Sequence, residues 1–214
     1  MATTLAQLRT RVRYFVRDPN TKTFQDAELD IYINEAQKEV AAFLCKNEGD
    51  FLLREATTTL VQGTTDYHCP SDIFGRNIRA LYAYGTDPVT YVKVQRGTLE
   101  EVYDAGMVQD TYPSRYVCLD GYFKVGPPPD DSGYTLLIAY IRQPTDLASG
   151  TDVMDSDDEF KELIAVSAAI RALETRGGKE SVELLAGRQQ ALLAEAARLI
   201  TKEDLIQGYP AWEY

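Results

Sequence analysis

The sequence predicts an α+β fold: a four-helix bundle of two N-terminal and two C-terminal helices, a small antiparallel β-domain inserted between the pairs, and an extended C-terminal tail. Three observations predict it. Apolar residues recur at helical spacing near both ends of the 214-residue chain. Between them lie runs rich in β-branched and aromatic residues, punctuated by turn residues. After the last helical pattern comes the aromatic sequence LIQGYPAWEY. The implied boundaries are 1–48 with 152–203 for the bundle, 49–151 for the β-rich insertion and 204–214 for a docking tail.

The first helix, over 4–16, places Leu5, Leu8, Val12 and Phe15 on one face and stops at Arg17-Asp18-Pro19-Asn20. The second covers 24–44. With Gln25 as N-cap, Asp26 and Glu28 fall in the first turn, where carboxylates favour the positive end of the helix dipole. Phe24 and Leu29 then take the positions of a hydrophobic staple, which sets the angle at which the chain enters the helix. Leu29, Tyr32, Ile33, Ala36, Val40, Phe43 and Leu44 form one apolar stripe beside Asp30, Asn34 and Lys38, so Leu29, Ile33, Ala36, Val40 and Phe43 are expected in the bundle core.

Asn47-Glu48-Gly49-Asp50 breaks the helical pattern, and strands are expected over 57–61, 66–69, 78–84, 91–95, 115–119, 122–125 and 134–141. Asp120-Gly121 reads as a two-residue hairpin turn, because both central positions of a type I′ turn need positive φ. Residues 99–105 add a helical turn, and Pro127-Pro128-Pro129 a stiff connection. Ser156 and Glu159 have the spacing of a capping box ahead of a third helix whose buried side is Leu163, Ile164, Ser167, Ile170 and Leu173. Gly177-Gly178 ends it with a tight reversal. In the fourth helix, Val182, Leu185, Gln189, Leu192, Leu193, Ala196, Leu199 and Ile200 carry the stripe. Two helices on each side of the insertion then meet in one bundle.

Composition narrows the function. A 44% apolar content excludes disorder as the main state. There is no run of roughly 20 apolar residues to span a bilayer and no signal-peptide pattern at the start, so the chain is expected to be soluble and unexported, with no membrane partner. Cys45, Cys69 and Cys118 are too few and too widely spaced for a disulfide framework and suit a reducing compartment. A net charge of -11 disfavours a nucleic-acid-binding surface. That charge is uneven. Residues 1–22 hold Arg9, Arg11, Arg13, Arg17 and Lys22 against Asp18, whereas 146–162 holds seven acids against Lys161. The first reading is two solvated helix ends; the second sets Arg9, Arg13 and Arg17 of one subunit against Asp155, Asp157 and Asp158 of the next.

No catalytic set emerges. His68 is the single histidine, which removes His-paired metal sites and most acid–base constellations. Asp155, Asp157 and Glu159 alternate as in a calcium loop, yet Phe160 stands where the turn needs Gly and Val166 where a bidentate Glu belongs. Gly178-Lys179 lacks the first Gly and the Ser or Thr of a phosphate-binding loop, with Leu173 and Glu180 in their places. Neither a metal nor a cofactor is expected. The aromatic tail is the more specific feature: Leu205, Ile206, Tyr209, Pro210, Trp212 and Tyr214 either dock onto another chain or fold back over their own bundle, and docking is the preferred reading.

Phe24-Gln25-Asp26-Ala27-Glu28-Leu29, followed by Tyr32-Ile33-Asn34-Glu35-Ala36-Gln37, resembles the head-to-tail adaptor (connector) proteins of tailed bacteriophages. Leu8, Arg11 and Val12 before Asp18-Pro19 match the opening of that family. Further matches are Gly63 and Tyr67 before Pro70, Gly121 and Pro127, Tyr134 and Tyr140 before Pro144, and the late helix with Ala168 and Ala169. Gln25 departs from the Ser or Thr cap common in the family. The resemblance implies a non-enzymatic virion protein at the head–tail junction, made in the host cytoplasm. It implies a ring, usually of twelve copies, beneath the portal of a filled capsid. Such a ring extends the channel for passing double-stranded DNA without binding it specifically, serves genome ejection and gives the tail or nozzle protein its platform. The C-terminal segment, with the tail residues named above, would reach the portal protein. The alternative from the same physics is a tail-tube or head-completion (stopper) component, with an enzyme a distant third.

Overall fold

The computed structural model describes residues 2–19, 22–47, 52–85, 91–105, 112–119, 121–156 and 158–206, with side chains described except at 180 and 201–206. They form two compact units, Met1–Leu52 with Pro144–Tyr214, and Leu53–Gln143.

The first unit is helical. It contains α1 (Leu5–Phe15), α2 (Asp26–Lys46), α4 (Lys161–Arg176) and α5 (Lys179–Ile206). Its core joins Leu5, Leu8 and Val12 of α1, Leu29, Ile33, Ala36, Val40 and Leu44 of α2, and Leu185, Ala196 and Ile200 of α5 around α4, while Phe43 packs half-buried at its border. Each fully buried Leu or Ile here contributes about 1.5–3 kcal/mol from leaving water. The α4 helix is the hub. Every residue from Leu163 to Ile170 is buried, and eight consecutive residues wrap the whole circumference of a helix. Ala165, Ala168, Ala169 and Ala172 keep the hub thin enough for α1, α2 and α5 to pack against it. The buried Ser167 hydroxyl is satisfied by the Gln189 amide at 2.8 Å.

The other unit holds β1 (Leu53–Thr59), β2 (Asp66–His68), β3 (Ile73–Tyr84), β4 (Val92–Lys93), β5 (Gln95–Arg96), α3 (Leu99–Ala105), β6 (Arg115–Cys118), β7 (Tyr122–Gly126) and β8 (Thr135–Arg142). These strands make two four-stranded sheets, in the orders β1-β8-β3-β4 and β2-β7-β6-β5. Leu81, Ala83, Phe123, Val125, Leu136 and Ile138 lie in their shared core. The α3 helix packs on β7 so closely that a Cβ at Gly126 would overlap the Val102 carbonyl oxygen.

The predicted four-helix bundle with one small antiparallel insertion is therefore corrected. Five α-helices are present among the described residues, one of them among the strands, and two four-stranded sheets replace the single small β-domain in a mixed α+β architecture. The physical reason for two sheets lies at Val94. The chain there passes from one sheet to the other: the Val94 N–H donates to Leu81 at 2.8 Å, and the next N–H, from Gln95, donates to Ser114 at 2.9 Å. One continuous β-forming run thus serves two sheets, and β5 joins β6 in parallel. The extended tail is also corrected at its start, because Leu205 and Ile206 complete the 28-residue α5. Good helix formers continue without Gly or Pro up to Gly208, so nothing ends the helix at residue 204.

Helix ends differ from expectation too. Ser156 caps nothing; Asp158–Phe160 forms a 3-10 turn and α4 starts without a side-chain cap. The capping box belongs to α1, where Thr4 accepts from the Gln7 N–H at 3.4 Å and Gln7 accepts from the Thr4 N–H at 3.0 Å. Gln25 is the N-cap of α2 without a side-chain bond, and Gly177 closes α4 with φ of 77°.

Candidate docking surfaces

The basic residues of α1 divide into two groups. Arg9 grips Asp30 of α2 with both ends of its fork, Nε to Oδ1 at 2.6 Å and Nη2 to Oδ2 at 2.7 Å, and stands 3.7 Å from Asp26. Arg13 is only 8% exposed. It donates to the Phe24 carbonyl at 3.0 Å and to Asp26 at 2.6 Å, and stands 3.4 Å from Asp18. Asp18 in turn accepts the backbone N–H groups of Lys22, Thr23 and Phe24 at 2.9–3.0 Å. Those N–H groups, Phe24's first, hold the Asp18 carboxyl below the usual carboxylate range, and the Arg13 hydrogen bond does the same for Asp26. This clasp ties the end of α1 to the start of α2 inside one chain.

Arg11 and Arg17 form the second group. Arg17 is exposed just beyond the helix, with φ of 56°, the left-handed conformation common where helices end. Arg11 lines a cleft of about 460 Å³ with Thr3, Gln7, Thr10, Asp158 and Lys161. Neither guanidinium forms an ion pair among the described residues.

The acids expected to face a neighbour also have partners in their own chain. Asp155 accepts from the Thr145 N–H at 2.6 Å. Asp158 accepts from the Thr3 hydroxyl and, at 2.8 Å, from Lys161, whose hydrogen bond is the larger cause of its lowered pKa. Asp157 lies outside the described residues, as do Tyr209, Pro210, Trp212 and Tyr214. The structure thus brings Arg9 and Arg13 together and leaves both apart from Asp155 and Asp158. Sequence reasoning missed Asp18, read only as part of a stop signal. It also missed Asn34, which exchanges two hydrogen bonds with the Leu147 backbone at 2.8 and 3.0 Å.

Cys45 is buried, and burial pushes the half-buried Cys69 and Cys118 thiols up, away from the thiolate that nucleophilic chemistry needs. His68 sits exposed on β2 opposite Tyr122, beside a shallow cleft shared with Asp66 and Tyr67. Among the described residues no group of three His, Cys, Asp or Glu side chains is placed to hold a metal ion, and no helix is long and apolar enough to cross a membrane.

The class is that of an α+β protein of two compact units, its helical unit fastened from within by arginine–carboxylate bonds. The family model described as SU10 adaptor protein matches residues 3–210, and the chain belongs to that family. It is a family of phage head-to-tail adaptors, structural rather than enzymatic, which places the protein at the head–tail junction of a virion with portal and tail components as partners. A comparison with curated proteins gave no match.

Proposed function

We propose that the chain forms a ring beneath the portal, of twelve copies as in the family it resembles, which extends the DNA channel and gives the tail or nozzle protein its attachment platform. The observation that carries this reading is the family match over residues 3–210. The helical unit supports it, since α5 runs for 28 residues against 16 for α4 and the aromatic sequence follows it directly in the chain. In this reading Leu205, Ile206, Tyr209, Pro210, Trp212 and Tyr214 dock onto the portal. Removing residues 205–214 is expected to abolish co-sedimentation with portal rings while leaving the helical circular-dichroism signal close to wild type. Attachment that survives the truncation counts against these residues as the contact.

The channel wall is proposed to be acidic. A chain of net charge -11 would then repel passing phosphates and keep double-stranded DNA from adhering during ejection. An image of the assembled ring with a basic lumen would sink that proposal.

A further inference from the structure

Helices α1 and α5 each bury one face in the helical core and turn another outward. On α1 the outward face is Gln7, Thr10 and Tyr14, with Arg11 beside them and Arg17 following. Tyr14, 79% exposed, is the most exposed large apolar side chain among the described residues. On α5 the outward face is Leu184, Gly187, Ala191 and Ala194, spaced three and four apart as in a coiled-coil seam, with the exposed Arg198 one turn further on. Leu184 is 74% exposed, and Glu183 and Glu195 flank the small residues. Arg11, Arg17, Glu183 and Glu195 form no ion pairs among the described residues. Single exposed apolar residues are ordinary on a protein surface; here, among the described residues, a projecting aromatic between two unpaired arginines has a counterpart in a shallow strip of small residues flanked by two unpaired acids.

We infer that the two faces are complementary docking surfaces for a second copy of this chain, α1 of one subunit against α5 of the next. The fit can be followed along the helix axes. Tyr14 stands about 4.5 Å beyond Arg11 in axial rise, and Arg17 follows just past the end of α1 on the other side of the ring. Gly187 and Ala191 straddle the midpoint between Glu183 and Glu195, which lie about 9 Å to either side. Setting the Tyr14 ring over the small residues leaves Arg11 a few ångströms short of one acid, a gap its long stem spans, with Arg17 on the side of the other acid. The small residues let the backbones approach, and Leu184 covers the flank. Pairing like faces works less well: α1 on α1 brings arginine to arginine, and α5 on α5, nested about the same small residues, sets Glu183 opposite Glu195.

Because the two surfaces differ, association is head to tail, and every copy keeps one free face of each kind until a ring closes. The inference deepens the ring reading and rests on it for its setting. It also assigns the subunit contact to charges that remain available, since Arg9 and Arg13 are held within their own chain.

The test uses full-length protein in sedimentation experiments up to millimolar concentration. Wild type is expected to gain mass with concentration. Arg11→Glu with Arg17→Glu makes both faces acidic, and Glu183→Arg with Glu195→Arg makes both basic. Each double variant alone is expected to remain monomeric, with association weakened at least about tenfold, while an equimolar mixture regains association because the chains can alternate. Arg17, Glu183 and Glu195 are exposed and Arg11 is half-buried, and unchanged thermal midpoints check the fold. Wild type that stays monomeric throughout, a double variant that associates like wild type, or a mixture that stays monomeric overturns the inference. Portal co-sedimentation tests the adaptor reading separately. Self-association without portal attachment sinks that reading alone, and portal attachment with unaltered assembly in the double variants sinks the helix contact alone.

Discussion

Phe123→Ala is expected to destabilise the Leu53–Gln143 unit by about 3–5 kcal/mol, the loss typical of a large aromatic removed from a core that cannot collapse around the void. Phe123 is fully buried. It lies on β7, which pairs with β2 on one side and β6 on the other, directly between Tyr67 and Cys118. Its ring stacks on Tyr67 with centroids 5.9 Å apart and planes 21° apart, so the substitution removes an aromatic contact as well as buried area. Tyr67 cannot follow into the space freely, because its hydroxyl donates to the Thr64 carbonyl at 3.1 Å. Urea unfolding followed by near-ultraviolet circular dichroism reads the effect, since Tyr67, Tyr116 and Tyr140 are all in this core. A midpoint equal to that of wild type would show that β7 is not the centre of its sheet's packing.

Why some of the fold was legible in the sequence and some was not follows from what periodicity encodes. The α2 stripe could be read because Leu29, Ile33, Ala36 and Val40 alternate with charged residues, and a one-sided helix writes its orientation into that contrast. In α4 the same method returned only Leu163, Ile164, Ser167, Ile170 and Leu173, because Ala165, Ala168 and Ala169 are neutral in such a count and Val166 falls off that stripe. Their burial makes α4 a hub enclosed on every side, which replaces the equal four-helix arrangement. The division at Val94 had no signal either. Tyr91, Val92, Val94 and Gln95 suit any strand, and which sheet each joins depends on Leu81 and Ser114, far away in sequence.

The candidate site was harder to read because charge carries no address. Arg9, Arg11, Arg13 and Arg17 look equivalent as a basic run. The α-helix separates them: Arg9 and Arg13, four apart, face Asp26 and Asp30 of α2, whereas Arg11 turns elsewhere. A sequence argument could have found this split by asking which arginines share a side with Leu5, Leu8 and Val12. The aromatic tail is the opposite case. Its composition alone suggests an interface, and docking onto the portal is what we propose for it.

Arg13→Met keeps most of the side-chain length and removes the charge, and it is expected to cost the helical unit about 2–3 kcal/mol. The cost stays at or below the roughly 3–5 kcal/mol of a fully buried broken ion pair, because Asp26 can reach solvent and Asp18 keeps its three backbone donors. Acid titration gives the sharper readout. A carboxylate whose pKa is lowered by folding stabilises the folded state fully above the unfolded value, near 4, and that contribution disappears as pH falls through the lower folded value. Asp18 and Asp26 both follow this rule in wild type. In Arg13→Met the largest cause of the Asp26 shift is gone, so part of the acid sensitivity below pH 4 disappears with it. The gap between variant and wild-type stability therefore narrows as the solution is acidified. Asp18→Asn removes a different share, because the Phe24, Thr23 and Lys22 N–H groups rather than Arg13 dominate there, and combining the two changes should leave the thermal midpoint of the helical unit nearly flat against this pair's titration. A gap between Arg13→Met and wild type that stays constant from pH 7 to pH 2 would show that the clasp acts through packing and that its charges contribute nothing.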